Sequence, residues 1–204
     1  MNRVKHLLNE DSPYSFIIRF LSFFLVLYFF FPFYRGLIAP GGTFYSSFLE
    51  RNFNIVSGFT KVLTNSARLI LESAGYNVVQ RDYHSLRIGY SRGISVNPSC
   101  LGWAVMSFWT AFVFSNDGTS KHKAKWVTFG ITLIVLLNIT RIALIALANH
   151  LNWATITSLD HHMTFNIASY ACIILLVAFY IRIQKKYERT YIAAKQTGRM
   201  LSTI

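Results

Sequence analysis

Long apolar runs separated by short basic stretches set the pattern of this chain. The first runs from Tyr14 to Tyr34 and includes the segment FIIRFLSFFLVLYFFFPFY. A second begins at Pro98 and continues through CLGWAVMSFWTAFVFS to Ser115, a third spans Trp126 to His150, and a fourth extends from His161 to about Ile183. Runs of this length and character predict transmembrane helices, since about 20 apolar residues cross a hydrocarbon core roughly 30 Å thick. Residues 41–75 repeat their apolar positions with helical spacing, but Arg51, Lys61, Arg68 and Glu72 interrupt them. Such charges oppose a lipid-exposed span and predict an amphipathic helix on the outer surface, ending at Gly75. The stretch GYNVVQRDYHSLRIGY then alternates in two short runs about a polar turn at Arg81 and Asp82, which predicts a small β-hairpin. The fold class expected is therefore an all-α polytopic membrane protein with about four transmembrane helices, an outer amphipathic helix and a small β-hairpin.

Composition strengthens this picture. Of 204 residues 53% are hydrophobic and only 14% charged, and the mean hydropathy is +0.37. Soluble domains carry about 25% charged residues. The net charge of +12, from 20 Lys and Arg against 8 Asp and Glu, raises nucleic acid as a partner. The basic residues mostly flank the apolar runs, however, so the positive-inside rule accounts for much of the excess and no nucleic-acid partner is expected. The first run is long for a signal-peptide core and no small-residue cleavage site follows it, which predicts a retained anchor; Arg19 near its start can snorkel to the interface.

Charge also orients the spans. The N-terminus, the loop 116–125 with Lys121, Lys123 and Lys125, and the tail 184–204 are basic and are expected in the cytoplasm. Segment 36–97 is then extracytoplasmic. It carries seven Lys and Arg counted over 35–99, but loops longer than about 60 residues escape the charge rule. The whole chain reads as a single membrane domain.

That orientation brings reactive residues to one depth. Cys100 opens the second span and His161 the fourth, both at the outer face. Arg141 lies 15 residues beyond Trp126, about 22 Å along a helix and hence in the outer half of the core. Cys100, Ala104, Ser107 and Ala111 are expected to share one helical stripe. Asn138, Arg141, Ile145 and Asn149 share another, and His161, Thr164, Ala168 and Cys172 a third. Small residues on such stripes let transmembrane helices approach closely, so the stripes are expected to face one another. A cysteine, an imidazole and a guanidinium together support acyl transfer. The thiolate attacks a peptide carbonyl to form a thioester, the imidazole takes and returns the proton, and the guanidinium stabilises the oxyanion.

At these positions the chain resembles the exosortase/archaeosortase family. The matching pieces are Pro98-Ser99-Cys100-Leu101-Gly102, Asn138-Ile139-Thr140-Arg141-Ile142 and Asp160-His161, in the family's order, within a resemblance covering roughly residues 70–182. The resemblance implies a membrane-embedded cysteine protease or transpeptidase, with Cys100 as nucleophile, Arg141 as oxyanion stabiliser and His161 as acid/base. It implies as partners exported proteins whose C-terminal signal is a short motif, a transmembrane helix and a basic cluster, besides membrane lipids. Leu101 departs from the family, where Ser or Thr often follows the cysteine. The chain is also short for the family, lacking extra N-terminal spans.

Other readings compete. His162 lies about 100° from His161 on a helix, so only one of the two faces the site; Asp160 before His161 favours His161 in the family-like pattern. His150 is interfacial or orients substrate, and Asn138 and His162 are supporting candidates. Arg141 is otherwise a structural residue tied to Asn138 or to a carbonyl. Cys172, about 16 Å deeper than His161 on one helix, reads as structural. His150, Asp160, His161, His162 and Cys100 are potential metal ligands, but neither H-E-x-x-H nor C-x-x-C spacing occurs, so no metal and no cofactor is expected. The two cysteines imply no disulfide framework. The principal alternative is a small transporter or channel with an anion pathway lined by Arg141. Against it, no Asp or Glu lies inside any of the four runs and no inverted repeat is apparent. A non-catalytic scaffold is the third reading.

Overall fold

The computed structural model describes residues 13–42, 44–151, 167 and 170–186. These residues fall into two units, divided at position 161/162. In the first unit α1 spans Pro13–Ile38, α2 Ser47–Phe53 and α3 Ile55–Ser73. Three short strands follow, β1 Val78–Val79, β2 Ser85–Ile88 and β3 Ile94–Ser95, then a 3-10 turn Pro98–Leu101, α4 Trp103–Ser115 and α5 Ser120–His150. The second unit is described over one helix, α6 (170–186), in which the Gln184 amide donates to the Tyr180 hydroxyl at 2.8 Å.

Among the described residues, α1 and α5 are long and apolar enough to cross a membrane. None of α1's apolar window is buried, against 44% of α5's, so α5 is the central helix of the unit and α1 a peripheral one. α1 packs on α4 through aromatic rings. Phe20 and Phe24 set their edges against Phe108, and Phe16 sets its edge against Phe112. At the other end Trp103 stacks on Phe31 and donates its indole N–H to the Leu27 carbonyl at 2.9 Å. The two helices thus run antiparallel, and Arg19 near the start of α1 reaches Asp117 in the α4–α5 connection at 3.6 Å. Asp117 is largely exposed, so that ion pair contributes little.

Three expectations require correction. The second span does not begin as a helix at Pro98. Pro98 opens a separate 3-10 turn, Gly102 adopts a left-handed conformation (φ +74°), and α4 starts only at Trp103. With 13 residues α4 is about 20 Å long, short of a full crossing. Cys100 is therefore off the stripe of Ala104, Ser107 and Ala111; Ser107 and Ala111 are buried while Ala104 is exposed. The expected loop 116–125 shrinks, because Thr119 caps α5 by accepting from the His122 N–H and carries Lys121, Lys123 and Lys125 into the helix. The single helix expected within 41–75 is two helices. Asn54 breaks it, its side-chain oxygen accepting from the Ser57 N–H at 2.9 Å as an N-cap does.

The hairpin gains a third strand. β1 pairs antiparallel with β2 (Val78 opposite Ile88, Val79 opposite Arg87), and β2 pairs with β3 (Leu86 opposite Ile94). Two-residue strands are too short to show alternation, which hid β3. One face of the sheet joins the core. Leu86 and Ile88 pack with Leu63, Ala67 and Leu71 of α3, with Val96 and Leu101, and with Ile139, Ile142, Ala143 and Ala146 of α5. The buried positions of α3 recur every three or four residues, as an amphipathic helix requires. Buried Thr64 bonds the Tyr83 carbonyl at 2.6 Å and ties α3 to the turn before β2. Segment 55–101 is thereby fastened to the C-terminal half of α5.

On α5's other flank, Gly130 admits Trp109. A Cβ at Gly130 would lie 1.9 Å from the indole nitrogen of Trp109, which is fully buried and donates to the Trp126 carbonyl at 3.1 Å. Gly130→Ala is expected to displace the indole and destabilise the protein by at least about 2 kcal/mol, combining overpacking with a strained hydrogen bond. Thermal unfolding in detergent checks this, and an unchanged midpoint would refute the close approach.

Candidate active site at the Cys100 turn

Local chemistry dictates the turn that carries Cys100. Pro98 occupies its first position, where a missing N–H costs nothing. The Cys100 N–H donates to the Asn97 carbonyl at 2.8 Å, and Gly102 supplies the positive φ that redirects the chain into α4. A non-glycine residue there would incur roughly 1–2 kcal/mol of left-handed strain. Leu101 is 2% exposed and belongs to the core. Its apolar side chain anchors the turn, which accounts physically for a hydrophobe at the position where the family-like pattern often has a hydroxyl. The neighbouring Cys100 is partly buried and has a free thiol.

Besides the packing of Leu101, a hydrogen bond ties the turn to α5. The Asn138 side-chain amide donates to the Cys100 carbonyl at 2.7 Å, and Asn138 is itself buried. This amide and the packing of Leu101 together hold the turn that carries the thiol against α5. Asn138→Leu leaves the Cys100 carbonyl without its donor, and a loss of about 1–3 kcal/mol is expected. Detergent unfolding of Asn138→Leu beside Asn138→Gln measures it; equal stability of Asn138→Leu and the parent would show that the carbonyl finds another partner.

Arg141 lies one turn further along α5, about 4.5 Å up the axis and 60° round from Asn138. Its Nε is buried and finds no hydrogen-bond partner among the described residues. Asn138 uses its amide N–H on the Cys100 carbonyl. A buried guanidinium N–H without a partner is costly, and it leaves a donor for an acceptor that the described residues do not supply.

The remaining candidates are placed less closely. His150 ends α5, about 18 Å beyond Asn138 along the axis, and packs edge-on against Tyr76 at 5.7 Å between ring centroids. Asp160, His161, His162 and Thr164 lie outside the described residues. Cys172 is a partly buried residue of α6. Among the described residues no group of three His, Cys, Asp or Glu side chains gathers to hold a metal.

Sequence reasoning passed over Arg87. It lies on β2 between Leu86 and Ile88, hence on the sheet face away from the core, and its buried Nε also lacks a partner among the described residues. The only trace in the sequence is a cation alternating with hydrophobes. Elsewhere, the exposed Tyr45 phenol donates to the Glu50 carboxylate; chiefly this bond, with slight desolvation and the charge of Glu50, raises its pKa above the ordinary tyrosine value.

No family model matches this chain, and no curated protein or solved structure matches it either.

Proposed function

We propose that this protein is a membrane-embedded cysteine peptidase or transpeptidase of the exosortase/archaeosortase kind, crossing a bacterial or archaeal cytoplasmic membrane about four times with its site on the outer side. The observation that carries the proposal is the bond from Asn138 to the Cys100 carbonyl, which ties the turn bearing a free thiol to α5 one helical turn before Arg141, whose buried Nε has no partner among the described residues. The topology is supported by α1 and α5, by Arg19 and Asp117 meeting at the end of the unit that carries the lysines of α5, and by the Cys100 turn lying at the opposite end of α4.

In this reading the substrate's C-terminal helix enters laterally, and its basic cluster stops at the cytoplasmic surface so that the scissile bond rests beside Cys100. The thiolate adds to the peptide carbonyl, and the Arg141 guanidinium donates to the oxyanion. The amine leaves with a proton from the His161 imidazole, the role that the family resemblance assigns to it; His162 is the alternative base. An amine or water then resolves the thioester and frees the thiol.

The test is mass spectrometry of candidate C-terminally anchored proteins expressed with and without this chain. Loss of the anchor helix only when the chain is present supports the proposal, and the mass of the new C-terminus separates hydrolysis from transfer. Identical substrates in both cultures would sink it. The Arg141 Nε, buried and without a partner among the described residues, also favours a second reading, an anion pathway. Anion flux in proteoliposomes that Arg141→Gln abolishes and Cys100→Ala does not would select that one.

A further inference from the structure

The small sheet ends in an open edge just ahead of the Cys100 turn. Its strand order is β1-β2-β3, so β3 borders no further strand among the described residues. The Val96 N–H donates to the His84 carbonyl at 2.7 Å and therefore faces β2. Successive residues of an extended chain turn their backbone groups to opposite sides, so the N–H groups of Ser95 and Asn97 face away from β2. Both residues are exposed. Asn97 is still extended (φ −79°, ψ 158°), and the edge thus runs on to Pro98, with Cys100 three positions beyond Asn97. An edge of unpaired backbone groups is a template for another extended chain.

Arg87 points to the same edge. Leu86 lies opposite Ile94, which sets Arg87 opposite Gly93. A Cβ at Gly93 would stand 3.5 Å from the Arg87 Cβ and 3.9 Å from its Cγ. The arginine stem therefore lies against the glycine, and no side chain separates it from the outer side of β3. Its Nε is buried and has no partner among the described residues. A strand added beside β3 would lie about 4.8 Å further on and present a side chain to this face in the same row. An oxygen acceptor on that side chain would relieve the cost of the buried, unpaired N–H.

We infer that the extended stretch preceding the substrate's C-terminal helix adds to β3 as a fourth strand, with Arg87 donating to a carboxylate or amide oxygen of the residue beside Gly93. This rests on the peptidase reading above and says how that site holds its substrate. Position and direction select the occupant. The edge leads straight to the cysteine, so a chain paired along it delivers its following residues to the thiol. β3 continues into α4, which runs towards Asp117 at the cytoplasmic end, and the substrate likewise runs from outside towards its cytoplasmic basic cluster. The added strand is therefore parallel to β3, joined by evenly spaced, slanted bonds. Main-chain bonds supply affinity in this mode of recognition, and the side chain beside Gly93 supplies specificity.

The test uses the full chain and a C-terminally anchored protein that the parent processes. Ser95→Pro removes an N–H that faces away from β2, a place where an edge strand accepts proline. The unfolding midpoint should hold while KM rises at least about tenfold with kcat little changed, the loss of about one hydrogen bond made in binding. Arg87→Met is expected to raise KM about tenfold as well. Register is read without catalysis. In a Cys100→Ala, Cys172→Ala background, Ser95→Cys and Asn97→Cys are each oxidised against single cysteines walked through the segment before the substrate's helix. Asn97→Cys is expected to capture the residue two positions C-terminal to the one that Ser95→Cys captures. If Ser95→Pro lowers the midpoint, this register decides. Reversed order, or a disulfide between two copies of the variant in place of the substrate, would overturn the strand addition. So would parent-like KM in both folded Ser95→Pro and Arg87→Met, while processing by the parent left the peptidase reading intact. Absence of processing by the parent itself would remove that reading and this one together.

Discussion

Cys100→Ala is expected to abolish processing of C-terminally anchored substrates, by about 10⁶-fold if this nucleophile counts as much as that of a well-studied serine protease. The alanine side chain cannot form the thioester. The turn itself should survive, because Pro98, Gly102, buried Leu101 and the Asn138 bond to the residue-100 carbonyl do not involve the thiol. Loss of activity with an unchanged unfolding midpoint is therefore the expected pair of results. Mass spectrometry of the substrate C-terminus reads the first, and intact-protein mass of the parent mixed with substrate should catch the acyl-enzyme that the variant cannot make. Continued processing by Cys100→Ala would reduce the cysteine to a small packing residue.

Arg141→Gln is expected to lower the rate of cleavage about 10²–10³-fold, the usual cost of removing one oxyanion donor. The fall should appear in kcat more than in KM, because the interaction forms with the developing charge. Arg141→Lys keeps the charge but loses the planar, several-donor fork, so partial recovery is expected. Stability supplies the control. The Arg141 Nε is buried without a partner among the described residues, so its loss breaks no hydrogen bond of that atom there and should leave the unfolding midpoint unchanged or higher. A merely structural arginine would show the reverse, with stability falling and kcat following protein yield. Equal rates for Arg141→Gln and the parent would rule out the oxyanion role.

What the sequence determined by itself follows from periodicity and charge. The runs that became α1 and α5 are legible because lipid-length apolar stretches need no partner to be recognised. The amphipathic α3 and its end at Gly75 are legible because Thr60, Leu63, Thr64, Ala67 and Leu71 repeat with the helical period and glycine accepts a positive φ. Cys100, Asn138 and Arg141 stand out because polar groups in apolar runs require a reason.

Only the tertiary structure decided how these residues meet. Pro98 and Gly102 are visible in the sequence, yet that they detach Cys100 from α4 depends on Leu101 being drawn into a core built from α3, β2 and α5. That Asn138 serves the Cys100 carbonyl is a contact across 38 positions of chain, and no local periodicity encodes it. The same holds for Gly130, which reads as an ordinary small residue until Trp109 lies against it. Local propensity acts over a few residues and selects the elements, whereas a site is made by side chains distant in sequence, whose geometry exists only once the helices have packed.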